Sequence, residues 1–526
     1  MDSNKLLNDV LAQFKVNTSH SPAAHDEVRH WQLHTGIDDS KLTDWTSEPF
    51  VTIDNPDSRD LDQALYIESI ESPNMNEAEP GYRCRYALAD ASYYVKPGSA
   101  LFKEALERGT SYYLPGRSVP MLPVQLSEDL VSLNEGVERR ALVFDMTLTN
   151  DGVCTATEIV RARIKSVGKL SYEGVQRWLD NQTQPDDPKI STDAEPSLRL
   201  LKKLGLLLIE RSEDRDVIQF DRRETEIKLS DSGFEMQERE RYDTERYNEQ
   251  ISLLCNMQGA KMLQAMNRLH TELQPIFRVH EAPLKRRQKT LASNLAALNQ
   301  AKDLDERFQR QADQTLAEFV ANLPRDKTHK RLVQAIERQV LMINQASEFR
   351  AEPGRHHALG AASYARFSSP MREIVGIVTH KELLEALGLE PPLDAATDET
   401  IRQDVIEAAN TAKQRQKQLG KAIEFAVIDA HLKEDLAQGS DHVHLGTVMG
   451  FRSGRIYVAV DDLAVDLKVY LDDLNEQYGT NYIIGEISAE ALNVQKPTFV
   501  LGDTVTVKAR AFDAERRRFK IDLIPA

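Results

Sequence analysis

The hydrophobic period of this chain changes twice along its length, and those changes limit its possible folds more than any single motif does. From residue 48 to about 165, short runs such as "PFVTID", "ALYIES", "RCRYALADAS", "ALVFDMTLT" and "TATEIVRARI" are separated by turns, which is how strands read. From about 170 to 435, apolar residues recur at three and four, as in "TERYNEQISLLCNMQGAKMLQAM" and "KRLVQAIERQVLMINQAS", the spacing of amphipathic helices. Past the polar "QGSDH" at 438 to 442, alternation by two returns in "HLGTVMGFRSGRIYVAVDDLAVDLKVYLDDL" and "LGDTVTVKARAFDAERRRFKIDLIPA", with glycine at the turns. This patterning predicts an α+β domain followed by a small β-barrel. Residues 1 to 47 read as a short, mixed, weakly helical lead.

At 526 residues the chain outgrows a single core, which rarely extends past about 250 to 300 residues. The division expected from the pattern is 1–47, 48–436 and 437–526. With 41% hydrophobic and 28% charged residues, the chain has material for a core and is not disordered. The longest aliphatic run, "LGLLLI" at 204 to 209, falls far short of the roughly 20 residues that span a bilayer. The N-terminus "MDSNKLLNDVLAQFKVN" carries no apolar signal core, so a cytoplasmic protein with no membrane partner is expected. Cys84, Cys154 and Cys255 lie far apart without paired spacing, which argues against a disulfide framework and a cysteine zinc site and fits reduced thiols acting as small buried hydrophobes. The net charge of −17 taken alone argues against a polyanionic partner. Carboxylates that hold metal ions, however, add to that total while binding phosphate through those ions.

Three stretches carry the chemistry. "TIDNPDSRDLDQ" ends an apolar strand at Asp54, turns through "NPDS", and places Asp60 and Asp62 two apart around Leu61. An extended segment points both carboxylates to one side, where a hard divalent cation takes oxygen ligands beside substrate phosphates; an exposed Asp-rich turn accounts for the spacing as well. "RGTSYYLPGRSVPMLPVQLSEDLVSLN", 108 to 134, is a rigid loop in which Tyr113 either stacks on a base or packs over proline. "HHALGAASYARFSSPMREIVGIVTH", 356 to 380, reads as a loop feeding a helix, where free N–H groups and Arg372 favour phosphate. Adjacent His356 and His357 do not readily face one ion and read as structural.

Taken in this order, the three stretches resemble the catalytic domain of the ribonuclease II family, the hydrolytic 3′-to-5′ exoribonucleases. The family pattern is an aspartate ending "TID", then D-x-D-D after five residues, "YLPG…PMLP…L…SLN", and "SPIR" opening a helix. The chain has "TIDNPDSRDLDQ", "YLPGRSVPMLPVQLSEDLVSLN" and "SSPMR", with "LADASYYVKPGS", "NEQISLLCN" and "FRVHEAP" also family-like. The resemblance runs from about 48 to 435, and the C-terminal barrel is similar to the RNA-binding OB domain that follows in these enzymes. It implies an α+β ribonuclease II-type catalytic domain with a C-terminal OB-fold barrel, and a lead of 47 residues in place of the family's cold-shock OB domains.

By position, the resemblance makes Asp54, Asp60 and Asp62 ligands of Mg²⁺, or of Mn²⁺ in its place, with Asp62 also catalytic. Tyr113 becomes the tyrosine near the 3′-terminal nucleotide, and Arg372 the arginine that contacts the scissile phosphate. It implies degradation of single-stranded RNA to nucleoside 5′-monophosphates, and a monomer is expected. Gln63 stands where the family has its fourth aspartate; an amide can lend a carbonyl oxygen to the ion but no charge, and Asp57 is the nearby acid that could substitute. The rival expectations are an RNA-binding protein that keeps the fold without strong turnover, and a nuclease acting on DNA. "LKRRQK" (284 to 289) and "ERRRFK" (515 to 520) read either as the sides of an RNA path or as solvated faces.

Overall fold

The computed structural model describes residues 3–71, 80–184, 187–220, 224–230, 233–268, 272–438, 442–463 and 465–526. A seven-stranded sheet lies at its centre, ordered Thr43–Trp45, Cys154–Lys165, Glu138–Leu148, Gly81–Ala89, Gln63–Ile70, Val51–Asp54, Gly168–Ser171. Neighbours are antiparallel except at the edges, where Thr43–Trp45 and Val51–Asp54 find parallel partners. Its middle strands are buried on both faces. In Gly81–Ala89, Tyr86 and Leu88 enter one apolar cluster while Ala87 and Ala89 enter the other. Helices Glu195–Glu213 and Asp243–Asn267 cover the first face; Pro22–Leu33, Ala100–Arg108 and Ile374–Ala386 contribute to the second. A sheet clad on both sides reads as dense apolar runs, which is why these strands were visible in the sequence.

The helical stretch is less uniform than its periodicity implies. A hairpin of Glu224–Ser230 with Gly233–Arg239, and a short pair, Phe277–Val279 with Glu348–Arg350, interrupt it. The lead forms two helices, Ser3–Gln13 and Pro22–Leu33, the second capped by Ser21 with proline at its first turn.

The C-terminal sheet runs Val465–Tyr470, Arg455–Val460, His444–Arg452, Thr504–Asp513, Arg518–Pro525, all antiparallel. Its first and last members also meet, and helix Leu471–Tyr478 sits between the third and fourth strands in chain order; this is the connectivity of a five-stranded OB barrel. The expected boundary at 437 to 442 falls largely on residues 439–441, outside those described.

The 44-residue helix Ala395–Gln438 ties the parts together. Val405 and Ala409 pack in the core beside the sheet; Leu419, Ile423 and Val427 meet Leu7, Val10 and Leu11 of the lead; Leu432 enters the barrel core. At about 1.5 Å per residue such a helix extends roughly 65 Å. Among the described residues, no helix is long and apolar enough to cross a membrane.

Candidate active site

Three buried residues, Val51 to Ile53, bring the strand to Asp54, which emerges at the sheet edge opposite Ser171. The chain then turns, with Ser58 N–H donating to Asn55 O (3.1 Å). Leu61, 2% exposed, is held by the "SLN" segment. Its N–H donates to Ser132 Oγ (2.9 Å), its carbonyl accepts from Leu133 N–H (3.0 Å), and Ser132 Oγ donates to Arg59 O (2.7 Å). Ala89 N–H donates to Asp62 O (2.8 Å). Anchoring Leu61 in the core fixes its two acidic neighbours in space.

Asp62 lies in the protein interior. Its Oδ1 accepts from Met371 N–H (2.9 Å) and its Oδ2 from Arg372 Nε (2.6 Å). Burial pushes its carboxyl up to about 7, with Asp60 adding to the shift and Arg372 opposing it. Arg372 is held high mainly by the facing Asp62 carboxylate, against burial, with Tyr113, Asp54 and Asp60 adding smaller pulls. The backbone of Arg372 is gripped by the tyrosine loop: its carbonyl accepts from Ser111 N–H (2.9 Å) and Thr110 Oγ1 (2.8 Å), and Ile374 N–H donates to Gly109 O (3.1 Å). One clamp therefore positions both Arg372 and Tyr113. Tyr113 is half exposed and its hydroxyl donates to Asp60 Oδ2 (2.8 Å).

A cavity of about 560 Å³ brings together Asp54, Asp57, Asp60, Tyr113, Arg117 and Arg372 along its wall. Asp54 Oδ1 accepts from Asn55 N–H (2.8 Å), so Asp54 and Asp60 each keep one oxygen without a protein hydrogen bond among the described residues. Carboxylate oxygens facing a polar cleft are the donors a hard divalent cation takes, so the donor set fits an ion of the Mg²⁺ class. Asp54, Asp60 and Asp62 do not close on one point, however; among the described residues, the triads with ligand atoms within 4.8 Å of one another lie elsewhere. Asp62 acts here as the wall that holds Arg372.

Gln63 is committed to protein partners. Tyr86 hydroxyl donates to its Oε1, and its Nε2 donates to Ser368 O. Its amide links the sheet to the loop that carries Met371 and Arg372, and its oxygen is already taken. Asp57, by contrast, is exposed and lines the cavity.

The same loop is fastened from behind by Asn256, fully buried in helix Asp243–Asn267. Its Oδ1 accepts from Phe367 N–H (2.7 Å) and Ser368 N–H (3.1 Å), and its Nδ2 donates to Ser368 Oγ (2.9 Å). Gly259 lets the helix approach, since a Cβ there would stand 2.3 Å from the Phe367 ring. Asn256, Ser132 and Tyr86 were missed as supporting residues. The first two lie in the family-like stretches "NEQISLLCN" and "SLN", where nothing in the spacing points to a supporting role.

The other candidates divide. His356 is buried against Tyr364 and His280, and burial pushes its imidazole down to about 3, as for a structural group. In "ERRRFK", Arg516 pairs with Asp472 (3.0 Å), Arg518 with Asp473 (2.9 Å) and Lys520 with Glu476 (2.7 Å). The acids of helix Leu471–Tyr478 thus cancel much of that strand's charge. In "LKRRQK", Lys285, Arg286 and Lys289 are exposed on helix Lys285–Lys302.

An α+β core with an arginine-lined acidic cleft, followed by an OB-type barrel, is the architecture of the ribonuclease II class. The RNB domain model matches residues 42–388, and the chain belongs to that family. Ribonuclease R of Escherichia coli is 26% identical over 484 residues, covering 90% of this chain and 56% of the relative. Exoribonuclease 2 of Aeromonas hydrophila is 29% identical over 385 residues, 70% of this chain and 51% of the relative. The chain thus spans about half the length of these curated relatives. Mycoplasma genitalium RNase R, solved with ribose-methylated single-stranded RNA, shares the fold with a TM-score of 0.83 at 20% identity, over 99% of this chain and 78% of that one.

Proposed function

We propose that this chain is a hydrolytic exoribonuclease of the cytoplasm that degrades single-stranded RNA from its 3′ end, releasing nucleoside 5′-monophosphates, with residues 48–436 as the catalytic domain and 437–526 as an RNA-binding OB domain. The observation that carries the reading is the convergence of Asp54, Asp60, Tyr113 and Arg372 on one cavity, with Asp62 holding Arg372 from behind. The named relatives support the same reaction class.

Arg372 commits its Nε to Asp62, and this fixes the guanidinium plane before RNA arrives. A planar fork held in advance stabilises charge developing on phosphate oxygens without reorganising. Tyr113 is steadied by Asp60 and offers its ring face at the cleft wall, where a terminal base or ribose can rest. Asp54 and Asp60 are the groups that would hold Mg²⁺ or Mn²⁺. Such an ion lowers the pKa of bound water and neutralises phosphate charge.

The second reading, an RNA-binding protein with little turnover, is favoured by one feature: the family's fourth carboxylate is an amide whose oxygen Tyr86 occupies. To separate the two, 5′-labelled single-stranded RNA and DNA are incubated with the protein, with Mg²⁺ and with chelator. Stepwise shortening of RNA alone, stopped by chelator, with mononucleotide 5′-phosphates as products, is the expected outcome; binding without shortening supports the second reading.

A further inference from the structure

The long helix Ala395–Gln438 ends beside the first barrel strand, His444–Arg452, and three side chains meet there. Asp435 comes from the helix, His444 opens the strand, and His442 precedes it. Their ligand atoms all lie within 4.8 Å of one another. Asp435 Oδ2 is 2.9 Å from His444 Nε2, and Asp435 Oδ1 is 3.6 Å from His442 Nε2. Those separations bracket the roughly 3.3 Å expected between neighbouring ligands of a tetrahedral ion with bonds of about 2.0 Å.

The fourth member of the group decides its character. His444 is buried, and its Nδ1 faces Asp462 Oδ2 at 2.8 Å. Its Nε2 faces Asp435 Oδ2 at 2.9 Å; with an ion seated between Nε2 and Asp435, the ring proton would stay on Nδ1 and donate to Asp462. This carboxylate–histidine arrangement is how metal-ligating imidazoles are oriented. His442 is half exposed and reaches in from the solvent side, its ring 4.9 Å from that of His444. The remaining converging cluster among the described residues, Glu382, Glu385 and Asp398, differs because Lys381 Nζ already bonds all three carboxylates.

We infer that Asp435, His442 and His444 form a Zn²⁺ site that fastens the end of the long helix to the barrel, with Asp462 orienting His444. Two imidazoles and one carboxylate are a usual donor set for Zn²⁺, and water completes the shell. The ion joins elements that otherwise meet through Leu432 and its apolar neighbours. The site stands apart from the cleft, so the inference is independent of the proposed nuclease activity.

The 526-residue chain, stripped with chelator, is titrated with Zn²⁺ by calorimetry, and with Co²⁺ by visible absorption. One tight ion per chain and a four-coordinate Co²⁺ spectrum are expected, together with a higher melting temperature. His442→Ala, which alters a half-exposed side chain and leaves the buried pair intact, is expected to weaken Zn²⁺ binding at least about 100-fold and abolish the thermal shift. Asp462→Asn is expected to cost about 10- to 100-fold in affinity, whereas Asp54→Asn, in the cleft, leaves this binding unchanged. Absence of a tight stoichiometric ion in the parent, or equal affinity in parent and His442→Ala, would overturn the inference and leave an imidazolium held between two carboxylates.

Discussion

Each cleft residue is held by a few specific contacts, and this makes its role testable. Arg372→Lys keeps a charge but cannot bond Asp62 and present a planar fork at the same time. Its turnover is expected to fall about 100-fold or more, of the order seen when one oxyanion donor is lost, with a smaller rise in KM; equal kcat in single-turnover assays would rule out a transition-state contact. Gln63 calls for a different result from the one its family position implies. Because its oxygen meets Tyr86 and its nitrogen meets Ser368 O, Gln63→Ala is expected to lower kcat several-fold through loosening of the Arg372 loop. The Mg²⁺ concentration for half-maximal activity should stay unchanged. A rightward shift in a Mg²⁺ titration would instead make the amide a ligand. Spacing alone leaves an exposed acidic turn and a packed tyrosine open; it is the resemblance to the family motifs that singles out Asp54, Asp60, Asp62, Tyr113 and Arg372. It does not show which groups hold the Gln63 amide, since those partners lie 23 and 305 positions away.

Among the elements, helix Asp243–Asn267 does most to shape the site without entering it. It brings Asn256 under Phe367 and Ser368, and it can do so because Gly259 leaves room for the Phe367 ring. Gly259→Ala would set a methyl group into that ring, and overpacking of this kind costs about 1 to 3 kcal/mol. A matching loss in denaturant midpoint with lowered kcat is expected, while wild-type stability would show that the ring can move aside. Strands and long helices were legible from their periods. The hairpin Glu224–Arg239 was not, because its alternating residues are mostly charged and sat within a long helical texture. The weakly helical pattern of the lead does not reveal its docking: Leu7, Val10 and Leu11 bury against the hairpin Tyr112–Val119 and the long helix, and Asn8 accepts from Arg117 Nη1 (2.7 Å).

At the scale of the molecule, the barrel is a docked part. Met449 and Leu501 join the core of helices Lys285–Lys302 and Lys330–Met342, and Arg331 pairs with Asp461 (2.9 Å). Removing the barrel would expose that apolar face, so the RNA role proposed for it is better tested by substitution. With Arg516 paired to Asp472, Arg516→Ala is expected to change the slope of log K against log salt by less than the ~0.7 that one phosphate contact on a single strand contributes. A change of a full contact would show that the arginine leaves its partner for RNA. The barrel was legible from alternation and glycine turns; this charge cancellation was not, because the acids lie on a helix some 40 positions earlier. The central claim is that the acidic cleft hydrolyses RNA, and Asp62 tests it most directly. Asp62→Asn keeps an acceptor for Met371 N–H but removes the charge and turns amide hydrogens toward Arg372. Single-turnover cleavage of labelled single-stranded RNA is measured for parent and variant at saturating Mg²⁺, with RNA affinity measured in parallel. Stepwise 3′-to-5′ degradation by the parent, reduced at least about 1,000-fold in the variant with affinity changed less than about 3-fold, is the expected result; cleavage by Asp62→Asn at near the parent rate, or none by the parent, would contradict it.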